Sequence, residues 1–236
     1  MKPVATRVVR LLAPALIDRV DRDHSQSDSA FRRRRIVVAV VTILGATLLG
    51  ISLSVQPADP AFYPLTLGLA ALWVVGGFAS GPLHLGWADS TKGLRRPIVT
   101  PVLIGAAVGA VFVLGSLAVR EISPLHQAVE SVLAHARFGS LPLVALVTLL
   151  NGIAEEVFFR GALFAAIGRR RPVLISTLIY GIATVATANY MLVFSALLLG
   201  GVLGLERRAT GGVLAPILTH VTWSAIMLFV LPPLFA

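Results

Sequence analysis

Residues 151–164 read NGIAEEVFFRGALF, which sets Glu155, Glu156 and Arg160 inside an apolar run that continues upstream through LPLVALVTLL at 141–150. An ionisable side chain at the centre of a transmembrane helix costs roughly 2.5–3.5 kcal/mol on insertion scales, so three of them within six positions demand a purpose. Glu156 and Arg160 are spaced i and i+4, share a helix face and can pair. Glu155 points about 100° away around the wheel, toward Asn151 and Phe159 one turn on either side. The spacing therefore divides the two carboxylates. One is neutralised by arginine, and the other is free to face a cavity between helices, where a carboxylate can act as a general base on water.

A base needs a partner to hold the charge that develops. Of the five histidines, His24 lies in a basic tail, and His84, His126 and His135 lie in loops or near headgroups. His220 alone is deep within an apolar segment, in THVTWS at 219–224, with Ser224 one turn further along the same face. These residue types leave three classes of function open: a hydrolytic site, a transport or proton path through Glu155 and His220, and a scaffold braced by a buried Glu–Arg pair.

The elements that must position these residues are helices in lipid. Of the 236 residues 56% are hydrophobic and 13% charged, at a mean hydropathy of +0.87; soluble domains carry about 25% charged residues. The apolar residues come in runs long enough to span a bilayer, and the alternating strands of a membrane barrel are absent. The expected fold is all-α, a polytopic transmembrane helical bundle of about seven spans, at 36–55, 61–80, 98–119, 141–167, 173–188, 190–205 and 213–234. The fifth and sixth are short and joined around Asn189. With the N-terminus cytoplasmic, seventeen of the twenty Lys and Arg residues fall on the cytoplasmic side and only Arg120 and Arg137 opposite, which satisfies the positive-inside rule. The net charge of +9 then faces anionic lipid headgroups, and no nucleic-acid partner is needed to explain it. With no cysteine, disulfides and thiolate metal sites are excluded.

The chain divides into a basic cytoplasmic segment at 1–35, three accessory transmembrane helices at 36–140, and a four-helix core at 141–234. The first segment lacks the apolar core and cleavage site of a signal peptide. Val4, Val8, Leu11, Leu12 and Ala15 recur at helical spacing, so it reads either as a helix on the membrane surface or as a basic tail, with the arginines at 32–35 as a stop at the headgroups. Gly105/Gly109 and Gly200/Gly204 form GxxxG pairs, which let helix backbones approach closely.

EEVFFR at 155–160 resembles the EExxxR motif of the CPBP family, the Abi-type bacterial relatives of type II CAAX prenyl proteases. The segments downstream of it come in the family's order: a helix with a second motif, a Gly-rich helix (SALLLGGVLGLE, 195–206), a short basic loop (RRATGGVLAP, 207–216) and a final histidine motif (HVTWS, 220–224). The resemblance covers roughly residues 141–230. It implies an intramembrane endopeptidase with its site in a cavity open to one side, in a multi-pass protein of a bacterial inner (plasma) membrane, acting on a membrane-associated peptide or protein. By that likeness Glu155 is the base that activates water, Arg160 orients Glu156, and His220 polarises the oxyanion. Tyr180 stands where the family's second motif begins. Thr184 stands in place of that motif's histidine, and Ser224 in place of the last motif's asparagine, as supporting groups. The resemblance leaves two chemistries open, a divalent metal such as zinc as a cofactor or a glutamate–histidine pair without one; if a metal binds, Glu155 and His220 would be its ligands here, and Thr184 lacks the imidazole that would join them.

Overall fold

The structure is a computed structural model that describes residues 12–90 and 93–235; the part of the N-terminal helical reading that falls on residues 4–11 lies outside them, and residues 12–16 are helical. Eight longer helices come after these: α1 (Asp28–Ser54), α2 (Phe62–Ser80), α3 (Val99–Val119), α4 (Ser123–Phe138), α5 (Leu141–Ile167), α6 (Pro172–Val185), α7 (Tyr190–Thr210) and α8 (Leu214–Leu234). Six of them are long and apolar enough to cross a membrane, and α6, with 14 residues, is a shorter apolar helix between two of them. The chain is thus a polytopic helical bundle. Its outward faces fit lipid: Ile43, Val111, Leu114, Ile182 and Phe229 are all more than half exposed.

The boundaries differ from the expected ones for identifiable reasons. α1 starts eight residues before position 36, because Ser27 caps it by accepting from Ala30 N, and the arginines at 32–35 ride on the added turns instead of ending the span. Arg34 is buried and donates to Gln26 and to the Pro82 carbonyl. α7 runs through Thr210, five residues beyond 205, and so brings Glu206 and Arg207 into the helix. Asn189 sets its start by accepting from the Met191 and Leu192 amides. The segment between the third and fourth spans, read as loop from the sequence, forms the amphipathic helix α4. It lies over the end of the bundle opposite the basic loops, tied down by Asn189 Nδ2 to the Ala128 carbonyl (2.6 Å), by Tyr190 to the Pro124 carbonyl and by Arg137 Nη2 to the Pro232 carbonyl of α8 (3.3 Å).

Within α5 one wide π-helical turn spans Val157–Leu163. It carries Phe158 and Phe159, both enclosed, into an aromatic cluster with Trp73 of α2 (ring centroids 4.6 and 5.1 Å) and Tyr180 of α6 (4.6 Å from Phe159). π-turns of this kind recur at functional sites. On the other side of α5, α8 packs against α3 along the first glycine pair. A Cβ on Gly105 would lie 2.6 Å from the Thr219 carbonyl, and one on Gly109 2.7 Å from the end of Ile226.

The basic end is closed by backbone bonds between two loops: Val213 N to the His84 carbonyl (2.9 Å), Leu214 N to the Leu85 carbonyl (3.1 Å) and Trp87 N to the Thr210 carbonyl (2.8 Å). A strap at residues 18–26 lies over this junction. Val20 N donates to the Ala209 carbonyl (3.1 Å), Arg22 to that of Arg208 (2.9 Å), and the His24 and His84 rings stack 3.8 Å apart. Burial, with the adjacent charges of His84, Arg207 and Arg22, pushes His24 down to about 4, against the pull of Asp23; His84 is lowered by burial and by Arg207 and Arg34.

Two outcomes are expected. Gly105→Leu forces α3 off α8 and, as overpacking, costs about 1–3 kcal/mol, read as a lower melting temperature in detergent. The docked strap favours neutral His24, whose free value is about 6.5. Its docking is therefore complete above that pH and is lost as pH falls through the docked value near 4. Amide exchange at residues 18–26 should accelerate over that window; exchange independent of pH, after correction for the intrinsic rate, would refute the coupling.

Candidate active site

The pairing expected within α5 is present. Arg160 Nη1 donates to Glu156 Oε1 at 3.0 Å, and neither side chain has any exposure. Arg160 Nη2 reaches the Gly200 carbonyl of α7 at 3.2 Å, and its guanidinium lies 4.8 Å from the centroid of the Tyr180 ring. Gly200 makes room for this: a Cβ there would sit 3.1 Å from Nη2. The second glycine pair is thus part of the charged cluster as well as a packing device. The next cation along, Arg207, donates through Nε to the Arg160 carbonyl at 2.6 Å, inside the wide turn.

His220 joins Glu156, where the sequence placed it with Glu155. Its Nδ1 lies 2.8 Å from Glu156 Oε1. Arg160 holds that carboxylate as an acceptor, so the ring proton is assigned to Nδ1, and Nε2, which has no partner among the described residues, is left for another group. Glu156 is therefore more than a charge neutralised by Arg160; it orients the imidazole as well. Its Oε2 is buried without a partner.

Glu155 is only half-buried. Its Oε2 accepts from the Tyr180 hydroxyl at 2.5 Å, and Oε1 has no partner among the described residues. His220, Glu156 and Arg160 all lie within electrostatic reach of it. One turn toward the opposite end, Asn151 Nδ2 donates to the carbonyls of Thr66 and Val147.

The two supporting positions behave differently. Thr184 is buried and donates to the Tyr180 carbonyl of its own helix at 2.9 Å, so α6 meets the carboxylates through Tyr180, the first position of its motif, and not through Thr184. Ser224, one turn from His220, lines an apolar cavity of about 490 Å³ that extends toward the α4 end, bounded by Val111, Phe112, Val132, Leu192 and Trp223. Thr148 of α5 lines it too, two turns from Glu155 on the same face.

The donor set does not fit zinc. A zinc site needs at least three nitrogen, sulfur or oxygen ligands from the protein. No group of three or more His, Asp or Glu able to hold a metal occurs among the described residues, His220 Nδ1 and Glu156 Oε1 occupy each other, and Thr184 is turned onto its own backbone.

Glu206 and Thr219 were not singled out by the sequence. Both are fully buried and in contact at 2.7 Å. The available signal was a carboxylate at the end of a Gly-rich helix, just beyond the span expected at 190–205.

Removing Arg160 leaves Glu156 enclosed without its cation. Arg160→Ala is expected to cost about 3–5 kcal/mol, seen as loss of folded protein in detergent, with much of the loss restored when Glu156→Gln is added.

Residues 137–226 match the family described as type II CAAX prenyl endopeptidase Rce1-like. Comparisons with curated proteins and with solved structures found no match. The matched span starts in the last turn of α4, ends within α8, and holds every side chain of the charged cluster. Over these residues the chain is similar to the CAAX-protease-type membrane proteins.

Proposed function

We propose that this protein is an intramembrane endopeptidase that hydrolyses a peptide bond in a membrane-associated peptide or protein of a bacterial inner membrane, with water activated by Glu155. The observation that carries this reading is the asymmetry of the two neighbouring carboxylates. Glu156 has no exposure and is committed to Arg160 and His220. Glu155 is half-buried, is steadied on one oxygen by Tyr180, and keeps the other oxygen free.

In this mechanism Glu155 Oε1 removes a proton from water as the water oxygen attacks the scissile carbonyl, and later returns that proton to the leaving amine. His220, oriented through Nδ1 by Glu156, turns Nε2 to the oxyanion and donates to it when that nitrogen carries a proton, the Glu156 carboxylate beneath balancing the charge on the ring. Ser224 is placed to add a second hydrogen bond. The apolar cavity beside Ser224 supports entry of the substrate's apolar portion from the α4 end, since the basic end is closed by the loop junction and the strap.

Glu155→Gln and His220→Ala are each expected to lower cleavage of a membrane-tethered peptide in proteoliposomes by about 10²–10⁴-fold, the usual worth of general acid–base catalysis, with folded yield unchanged for Glu155→Gln. Wild-type turnover in Glu155→Gln would refute this reading. Tyr180→Phe keeps the ring against Phe159 and Arg160 and removes only the hydroxyl on Glu155, so it should lower turnover and shift the acid limb of the pH profile. Because Thr184 does not reach the carboxylates, a second reading is a binding protein that retained the fold without the chemistry. Wild-type protein inert toward every membrane-tethered peptide, with cleavage appearing in Thr184→His, would favour it.

A further inference from the structure

Glu206 is the one carboxyl group in the charged interior that the proposed chemistry leaves unused. It sits in the last turn of α7 with no exposure, and its Oε1 is 2.7 Å from Thr219 Oγ of α8. That same hydroxyl is 2.9 Å from the Pro101 carbonyl of α3. A threonine hydroxyl has a single proton to give, and a carbonyl can only accept. With Thr219 donating to Pro101, the contact with Glu206 is a hydrogen bond only if Glu206 brings the proton.

The surroundings agree with the hydrogen count. Glu206 makes no ion pair among the described residues. Arg160 gives Nη1 to Glu156 and Nη2 to the Gly200 carbonyl, and Arg207 turns its Nε to the Arg160 carbonyl. Glu206 Oε2 is buried without a donor. An ionised carboxylate so enclosed carries a heavy desolvation penalty, whereas the carbonyl oxygen of a neutral acid without a donor is a smaller defect. Glu156 is also within electrostatic reach of Glu206, so a second anion would compete for the positive charge of Arg160.

We propose that Glu206 is held protonated and acts as a positioning residue: as a neutral acid it donates to Thr219 and thereby pins α3, α7 and α8 at the residue next to His220. The pin sets the height of α8 at which His220 Nδ1 meets Glu156. Gly105 lets the α3 backbone come close enough to the Thr219 carbonyl for the three helices to share that one hydroxyl.

The test uses the full chain in nanodiscs at neutral pH and needs no turnover, so its outcome is independent of the hydrolase reading. The infrared difference between wild type and Glu206→Gln should contain the carbonyl stretch of a protonated carboxylic acid. Its absence, with a carboxylate band in its place, overturns the proposal. In ¹⁵N-histidine-labelled protein, with His220 assigned through His220→Gln, the Nδ1–H resonance should stay in place in Glu206→Gln, whose amide also donates, and should shift in Glu206→Ala. A shift of equal size in both variants, or in neither, overturns the positioning role. Should Glu206→Ala not fold, Thr219→Val replaces it and is expected to shift the same resonance; an unmoved signal there counts equally against the pin.

Discussion

The structure turns on one electrostatic constraint: the Glu156 carboxylate is enclosed completely, in a bundle whose outer faces belong to lipid. A lone carboxylate in such surroundings would cost several kcal/mol. It is tolerated because Arg160 from its own helix and His220 from α8 both meet one of its oxygens. Each of those partners is held from elsewhere. Arg160 is held by the Gly200 carbonyl and the Tyr180 ring, and His220 by the packing of α8 on α3. The charged cluster thus ties α5, α6, α7 and α8 together at one depth, where apolar packing alone carries little directional information. Lipid tails are as apolar as leucine, so burying hydrophobic surface does not by itself fix which helices meet.

The same constraint separates two adjacent glutamates into different roles. The helix turns about 100° per residue, which directs Glu155 out of the enclosed cluster and toward Tyr180. Its partner there is a neutral hydroxyl, whereas Glu156 has a guanidinium. One carboxylate is structural and orients the imidazole; the other keeps a free oxygen and partial exposure, the two properties a reacting group requires. The wide turn at Val157–Leu163 comes immediately after, and it is where Arg207 reaches into the helix to the Arg160 carbonyl.

The two ends of the bundle are built differently. At the basic end, backbone bonds between residues 84–87 and 210–214 and the strap above them leave the cluster covered by hydrogen-bonded chain. At the other end, α4 rests over an apolar cavity through a few polar ties. Loop-to-loop hydrogen bonding makes a firm closure; an amphipathic helix over an apolar void is the more readily displaced cover.

Much of this was legible in the amino-acid sequence. Hydropathy sets the spans because a backbone in lipid must satisfy its own hydrogen bonds, and every expected span is matched by a helix, one of them short. The i to i+4 spacing sufficed for the Glu156–Arg160 pair, because helix geometry is local. EExxxR, the Gly-rich helix and the final histidine pointed to the family that residues 137–226 match. What the one-dimensional pattern does not contain is which side chains meet across helices. It placed His220 with Glu155, and folding joined it to Glu156. Thr184 was expected beside the carboxylates, but its hydroxyl went to its own backbone and Tyr180 made the contact instead. The α4 segment passed as loop because its apolar stripe is too short and too polar on its other face to register as a span. Glu206, at the end of the Gly-rich helix, passed without notice because its burial comes from α3 and α8, through Pro101 and Thr219, which are remote from it in the chain. Local periodicity decided which residues share a helix face. Only the packing of α3, α6, α7 and α8 around α5 decided which of those faces hold charge together.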